Sequence, residues 1–204
     1  SLFECLFYNG DLGFENGTIT ALKFYNSFVS NLSNKPIRIW LGGTTLTNLS
    51  AGWIPSSQLT LVYDGAVNFP SGSNIIEIPL TVPYTYTGGI LAMLVQRPMD
   101  GNFYNSSDRF QAQTVGTIRA RKAQSDSNVL DPANPSAQGT VSGTFPKTTF
   151  VYSLTALAND LVCESVSGDQ SPSVGNPTAY QVRIRNNGSQ SQSVYSVRLM
   201  KQGG

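Results

Sequence analysis

Histidine is absent from all 204 residues. The commonest general base, the imidazole metal ligand and every Ser-His or Cys-His nucleophile pair are therefore excluded. Charge is scarce: 13 Lys+Arg and 12 Asp+Glu make up 12% of the chain, with a formal net charge of +1. That leaves no electrostatic footprint for nucleic acid or an acidic membrane surface. The two cysteines, Cys5 and Cys163, are far apart and lack metal-ligand spacing. They read as two small buried hydrophobes, with a disulfide between them as the weaker alternative. No run of about 18 apolar residues exists, so no membrane insertion is expected. The opening "SLFECLFYNG" has neither the basic n-region nor the cleavage site of a signal peptide.

Polarity comes instead from Ser, Thr, Asn and Gln, beside 19 Gly, 11 Pro, 9 Tyr and 10 Phe. Short strands joined by tight turns need that mixture, and it suits an extracellular surface. "GTITALKFYN" sets Ile19, Ala21, Lys23 and Tyr25 against Thr20, Leu22 and Phe24, a strand with one buried face. "KPIRIWLGG" places Ile37, Ile39 and Leu41 on one face and Arg38 and Trp40 on the other. Asp64-Gly65 in "SQLTLVYDGAVNF" is the signal of a type I′ hairpin turn or a bulged loop. "NIIEIPLTVPYTYTGG" follows, and "GILAMLVQRP" is apolar enough to be buried on both sides. "RFQAQTVG", "TIRARKAQ" and "TTFVYSLTAL" read as further strands, and "TTLTNLSAGW" at 44–53 as the one weak candidate for a helical turn.

Composition shifts at Ala158-Asn159-Asp160. Beyond it Tyr180, Val182 and Ile184 share a face, Asn187-Gly188 makes a turn, and Val194, Ser196 and Arg198 alternate with Tyr195, Val197 and Leu199 as a further strand. The expectation is an all-β chain: a jelly-roll-like antiparallel β-sandwich over 1–157, then the N-terminal part of an immunoglobulin-like domain over 158–204. About three strands are visible there, where the fold needs roughly seven. The chain is therefore expected to be a section of a longer protein, the alternative being a strand supplied by a partner.

Four segments in order carry a resemblance: "FENGTITALKFYNSF", "KPIRIWLGGTT", "AGWIPSSQLTLVYDGAV" and "IIEIPLTVPYTYTGGILAMLV", with "SSDRFQAQ" after them. Together they resemble an accessory module of large surface and secreted proteins of Bacteroidetes. The tail "NDLVCESVSG…TAYQVRIRNNG" is similar to the start of CARDB-like immunoglobulin modules. The resemblance implies an extracellular or cell-surface protein, an adhesin or peptidase using type IX secretion, and a β-sandwich with no assigned activity. Ile90-Leu91 stands where the pattern usually has an apolar-Asn pair, and the sorting domain of such proteins does not occur in this sequence.

Among site candidates, carboxylate-only chemistry would need two acids about 5–9 Å apart. Asp11, Asp64, Asp100, Asp108, Asp126 and Asp131 instead sit in turn-like segments, where Asp side chains cap backbone N–H groups. No catalytic residue is assigned, and the chain is read as no enzyme. "MDGNFYNSSD" gathers Asp100, Asn102, Asn105 and Asp108, oxygen ligands of the type calcium takes. Without EF-hand spacing or a bidentate Glu, a plain hydrogen-bonded loop is the stronger reading, and no cofactor is assigned.

Aromatic residues are the remaining ligand candidates, since amphipathic rings serve as stacking platforms. Phe103 and Tyr104 lead, with Trp53 as a further candidate, although in "GWIP" it equally plugs the end of a sandwich. Trp40, Tyr84 and Tyr86 fit either a surface or the core. Sequons at Asn16, Asn31, Asn48, Asn105 and Asn187 read as by-products of an Asn/Ser/Thr-rich surface.

The functional expectation is a non-catalytic extracellular module: stalk, adhesion or carbohydrate-contacting unit of a larger surface protein. Its partners would be neighbouring domains of the same polypeptide and a glycan or surface-protein ligand. The alternatives are an accessory domain of a secreted hydrolase and a strand-accepting fibre subunit.

Overall fold

The computed structural model of the chain describes residues 1–100, 104–136, 139–154 and 159–198. Its elements run β1 (Leu2–Phe7), the single helical turn α1 (Asn9–Leu12), β2 (Gly17–Phe28), β3 (Leu32–Thr44), β4 (Thr60–Phe69), β5 (Gly72–Tyr86) and β6 (Ile90–Gln96). Then come β7 (Arg109–Phe110), β8 (Ala112–Thr114), β9 (Ala120–Ala123), β10 (Thr140–Ser142), β11 (Thr144–Pro146), β12 (Thr148–Leu154), β13 (Leu161–Gly168) and β14 (Tyr180–Asn186). Two compact units result, Ser1–Leu154 and Thr155–Gly204.

The first unit is an antiparallel β-sandwich. One sheet has six strands in the order β10-β9-β1-β6-β3-β4; the other has the order β12-β2-β5, with β7 also paired to β2. A small pair, β11-β8, stands beside them. Between the two main sheets lies one apolar cluster that includes Cys5, Leu22, Phe24, Ile39, Leu41, Ile76, Ile78 and Met93. Ile37, Ile39 and Leu41 all face it, as a two-residue period requires.

The six-stranded sheet is buried on its outer face too. Leu6 and Ala92 are covered there by Leu49 and Ile54, and Leu2, Trp40 and Leu94 by Trp53, Leu59 and Leu130. The cover is the irregular segment 45–59, pinned by the Leu49 N–H to the Ile118 carbonyl at 3.2 Å and by the Ser56 N–H to the Pro132 carbonyl at 2.8 Å. Gly42 lets it approach: a Cβ there would stand 2.4 Å from Leu59 Cδ2. With both faces covered, β6 presents four consecutive buried residues, Leu91 to Leu94.

Five expectations need correction. Asp64-Gly65 is not a turn but the middle of β4, opposite Arg38 and Ile37. Asp64 pairs with Arg38 at 3.1 Å, and the Tyr63 ring lies over the hydrogen-only face of Gly65, its hydroxyl donating to the Ala66 carbonyl at 3.0 Å. Cross-strand pairing outweighs the local turn signal here. The turn itself lies between Phe69 and Gly72, where Gly72 has φ 85°. On β2 the period slips at a bulge between Ile19 and Ala21. The core face beyond it is Leu22, Phe24, Asn26 and Phe28, while Lys23 turns outward to Glu77 and Tyr25 to Thr149.

Segment 44–53 holds no helical turn; helical turns occur at α1 and at Ser56–Gln58. Leu49 instead contributes its side chain to the cover without any period.

The second unit contains the hairpin β13-β14, with a register shift between Cys163 and Ser165. Glu164 holds Arg183 and Arg185 at 3.0 and 3.1 Å. The strand expected through Val194, Ser196 and Arg198 does not form: 187–198 carries no strand. Alternation says which side chains would share a face, but a strand exists only where a ladder partners its N–H and C=O groups. Both thiols are free; Cys5 is buried in the core of the first unit as expected, but Cys163, expected to be buried, is exposed on the β13-β14 hairpin. Burial pushes the Cys5 thiol well above its ordinary value. Among the described residues no helix is long and apolar enough to cross a membrane.

Candidate ligand-binding site

One end of the sandwich core is imperfectly filled. Ile19, Leu22, Ile39, Leu41, Val62 and Met93 are at 0% exposure, whereas Phe24, Phe28 and Ile37 keep 7% and Phe69 keeps 6%. Those four side chains line a cavity of about 280 Å³. It is open to solvent on the side of Phe110, and its volume approaches the ~300 Å³ lower end of ligand pockets.

Its walls are strand ends. β2 supplies Phe24 and Phe28, β4 Phe69, β6 Val95 and β7 Phe110. The rings form an edge-to-face cluster: Phe28 to Phe110 at 5.2 Å, Phe69 to Phe110 at 5.7 Å and Phe24 to Phe110 at 6.2 Å between centroids. Such arrangements are favourable for ring quadrupoles and hold each ring in place. The phenylalanines are fixed from strands of both sheets, so the void is framed by rigid elements.

Polar side chains gather at the rim. Arg97, just past β6, sets its guanidinium carbon 3.4 Å from the Tyr104 ring centroid, and Lys35 of β3 sets its Nζ 5.0 Å from the same ring. Asp100 takes Arg97 Nη2 at 3.0 Å and Lys35 Nζ at 3.7 Å, and it accepts from the Tyr104 hydroxyl. Asp108 is engaged through one oxygen only: its Oδ1 accepts the N–H groups of Val29 and Ser30 at 2.7 and 3.0 Å, and its Oδ2 is buried without a hydrogen-bond partner.

Tyr104, Asn105 and Asp108 of the expected candidates line this cavity, and Asp100 braces its rim. Phe103 and Asn102 lie outside the described residues. Asn105 caps its own loop, accepting the Ser107 N–H at 2.9 Å. The calcium grouping therefore has its described acids in ion pairs and backbone caps, and among the described residues no cluster of three or more acidic or cysteine side chains could hold a metal.

Trp53 lies elsewhere, on the outer face of the six-stranded sheet with Leu2, Trp40 and Leu94, and not at a sandwich end. Trp40 is buried on that same face. Tyr86 is buried, its hydroxyl reaching the Gly89 carbonyl at 2.6 Å, and Tyr84 packs against the inter-sheet core. Lys35, Arg97 and the phenylalanine walls were not anticipated. The one available signal was the placing of Phe28, Phe69 and Phe110 at strand ends next to polar turns.

A second buried polar group lies under the cover segment. Glu4 Oε2 accepts the Ile54 N–H at 3.0 Å, and Arg121, its neighbour in the β1-β9 ladder, donates to the Leu49 and Ser50 carbonyls at 3.0 and 2.8 Å. Burial pushes the Glu4 carboxyl up to about 8, against the opposing pull of the Ile54 N–H and the Arg121 charge. The pair serves as an internal anchor for the covering segment.

No family model, curated protein or solved structure matches this chain.

Proposed function

We propose that the chain is a non-catalytic β-sandwich module of a larger cell-surface or secreted bacterial protein, working as a stalk, adhesion or ligand-contacting unit. What supports the reading is where the acidic side chains are spent. Asp11 holds Arg119 and the Tyr8 N–H, Asp64 holds Arg38, Glu77 holds Lys23, Asp131 caps the Ala133 N–H, and Asp100 and Asp108 brace the rim described above. With no histidine in the chain, carboxylates are the commonest acid-base groups left, and these six hold loops and strands. The motif resemblance supplies the extracellular setting and the type IX secretion route.

A strand-accepting role is the second reading. It is favoured by the hairpin of the second unit, where Val162 and Val166 of β13 are exposed and β13 and β14 pair only with each other among the described residues.

Immunodetection on intact cells of the producing organism and in its medium tests the first reading. The expected result is signal without lysis, on a species much heavier than the 22.0 kDa of this chain. Signal appearing only after lysis would overturn it.

A further inference from the structure

We propose that the cavity between the sheets binds a medium-chain carboxylate, its tail among Phe28, Phe69, Val95 and Phe110 and its head at Lys35 and Arg97. This goes beyond the module reading and holds wherever the protein resides.

The size of the ligand follows from the void. About 280 Å³ is close to the ~300 Å³ lower end of ligand pockets and so suits a short alkyl chain rather than a bulky ligand. Its apolarity follows from the walls, where phenylalanine rings and Val95 meet without a polar side chain between them. A chain entering that space removes apolar surface from water on both partners.

The charge of the head follows from the rim. Lys35 and Arg97 share one carboxylate, Asp100, which also accepts from Tyr104. Asp108, the other acid at this rim, directs its Oδ1 to two backbone N–H groups and keeps its Oδ2 buried without a partner, so a carboxylate head is held on the Lys35 and Arg97 side of the mouth. Lys35 Nζ stands 3.7 Å from Asp100, beyond the ~3.2 Å reach of a good hydrogen bond, so its three donors are not spent on that oxygen. Side-chain exposure of 18% for Lys35 and 29% for Arg97 leaves both cations partly desolvated, where a second carboxylate is held more strongly than at an open surface.

The test is calorimetric titration of the full chain with sodium octanoate and, separately, with octan-1-ol, which has the same tail and no charge. Octanoate is expected to bind at a single site about tenfold more tightly than the alcohol. Lys35→Gln and Arg97→Gln should each weaken octanoate about three- to tenfold and leave the alcohol unchanged. Val95→Phe, which fills the void, should abolish binding of both. Should that variant fail to fold, amide shifts in the unsubstituted protein on adding octanoate carry the location instead, expected at Phe28, Phe69, Val95 and Phe110. Failure of both probes to bind, equal affinity for acid and alcohol, or shifts clustered elsewhere would overturn the proposal.

Discussion

Glu4 and Arg121 are cross-strand neighbours on β1 and β9, each about 5% exposed or less, and together they fasten the segment that covers the six-stranded sheet. They do so through the backbone, Glu4 accepting from Ile54 and Arg121 donating to Leu49 and Ser50.

The pH dependence of folding should show this anchor. Burial raises the Glu4 carboxyl from 4.5 to about 8, so between those values the folded chain holds a proton that the unfolded chain has released. Stability from this group is complete below pH 4.5 and is lost as pH rises towards 8. The loss is on the order of 3–5 kcal/mol across the window. Urea denaturation at pH 5, 7 and 9 measures it, and Glu4→Gln, which keeps an oxygen for the Ile54 N–H, should flatten the curve.

Asn26 fastens the other sheet. It is fully buried, donates to the Pro70 carbonyl at 2.8 Å and accepts the Asn74 N–H at 3.0 Å, so it clamps the β4-β5 turn. Asn26→Ala leaves the Asn74 N–H without its acceptor, while the Pro70 carbonyl keeps the Asn74 side-chain amide at 3.1 Å, and is expected to cost about 1–3 kcal/mol, read from the denaturation midpoint at unchanged slope.

Gly42 should be intolerant of even one carbon. The 2.4 Å approach of Leu59 Cδ2 makes the Leu59 side chain give up its packing position in Gly42→Ala, while the backbone atoms nearby stand at 3.4 Å or more. The expected cost is about 1–3 kcal/mol, and hydrogen exchange should quicken at the Leu49 and Ser56 amides, whose bonds pin the cover.

Asp64→Asn, by contrast, should change stability by less than about 1 kcal/mol, because the pair with Arg38 is half-exposed on a strand face. Gly65→Ala should be similarly mild, since the nearest atom is the far end of the Tyr63 side chain and Gly65 is not among the positive-φ residues. A large loss in Gly65→Ala would argue for a turn at this place.

These contrasts explain how much of the molecule could be read from its sequence. The inward row Ile37, Ile39 and Leu41 and the doubly buried Leu91–Leu94 run were legible because they obey a two-residue period or break it in the direction of full burial. The β2 bulge was not, since one inserted residue exchanges the faces without altering composition. The cover was illegible because Leu49, Trp53, Ile54 and Leu59 have no period at all. At the candidate site Tyr104 and Asp100 stood out as an aromatic and an acid in a polar loop, and the structure places them beside the cavity. The phenylalanines and the two cations come from strand ends far apart in sequence, and only the packing of two sheets brings them together.

The central claim, a solvent-reached apolar cavity framed by those phenylalanines, is tested most directly by a crystal of the full chain under xenon pressure. One xenon peak among Phe28, Phe69, Val95 and Phe110 is predicted, as apolar cavities of this kind take up the gas. A map with no peak there and the rings closed together would contradict it.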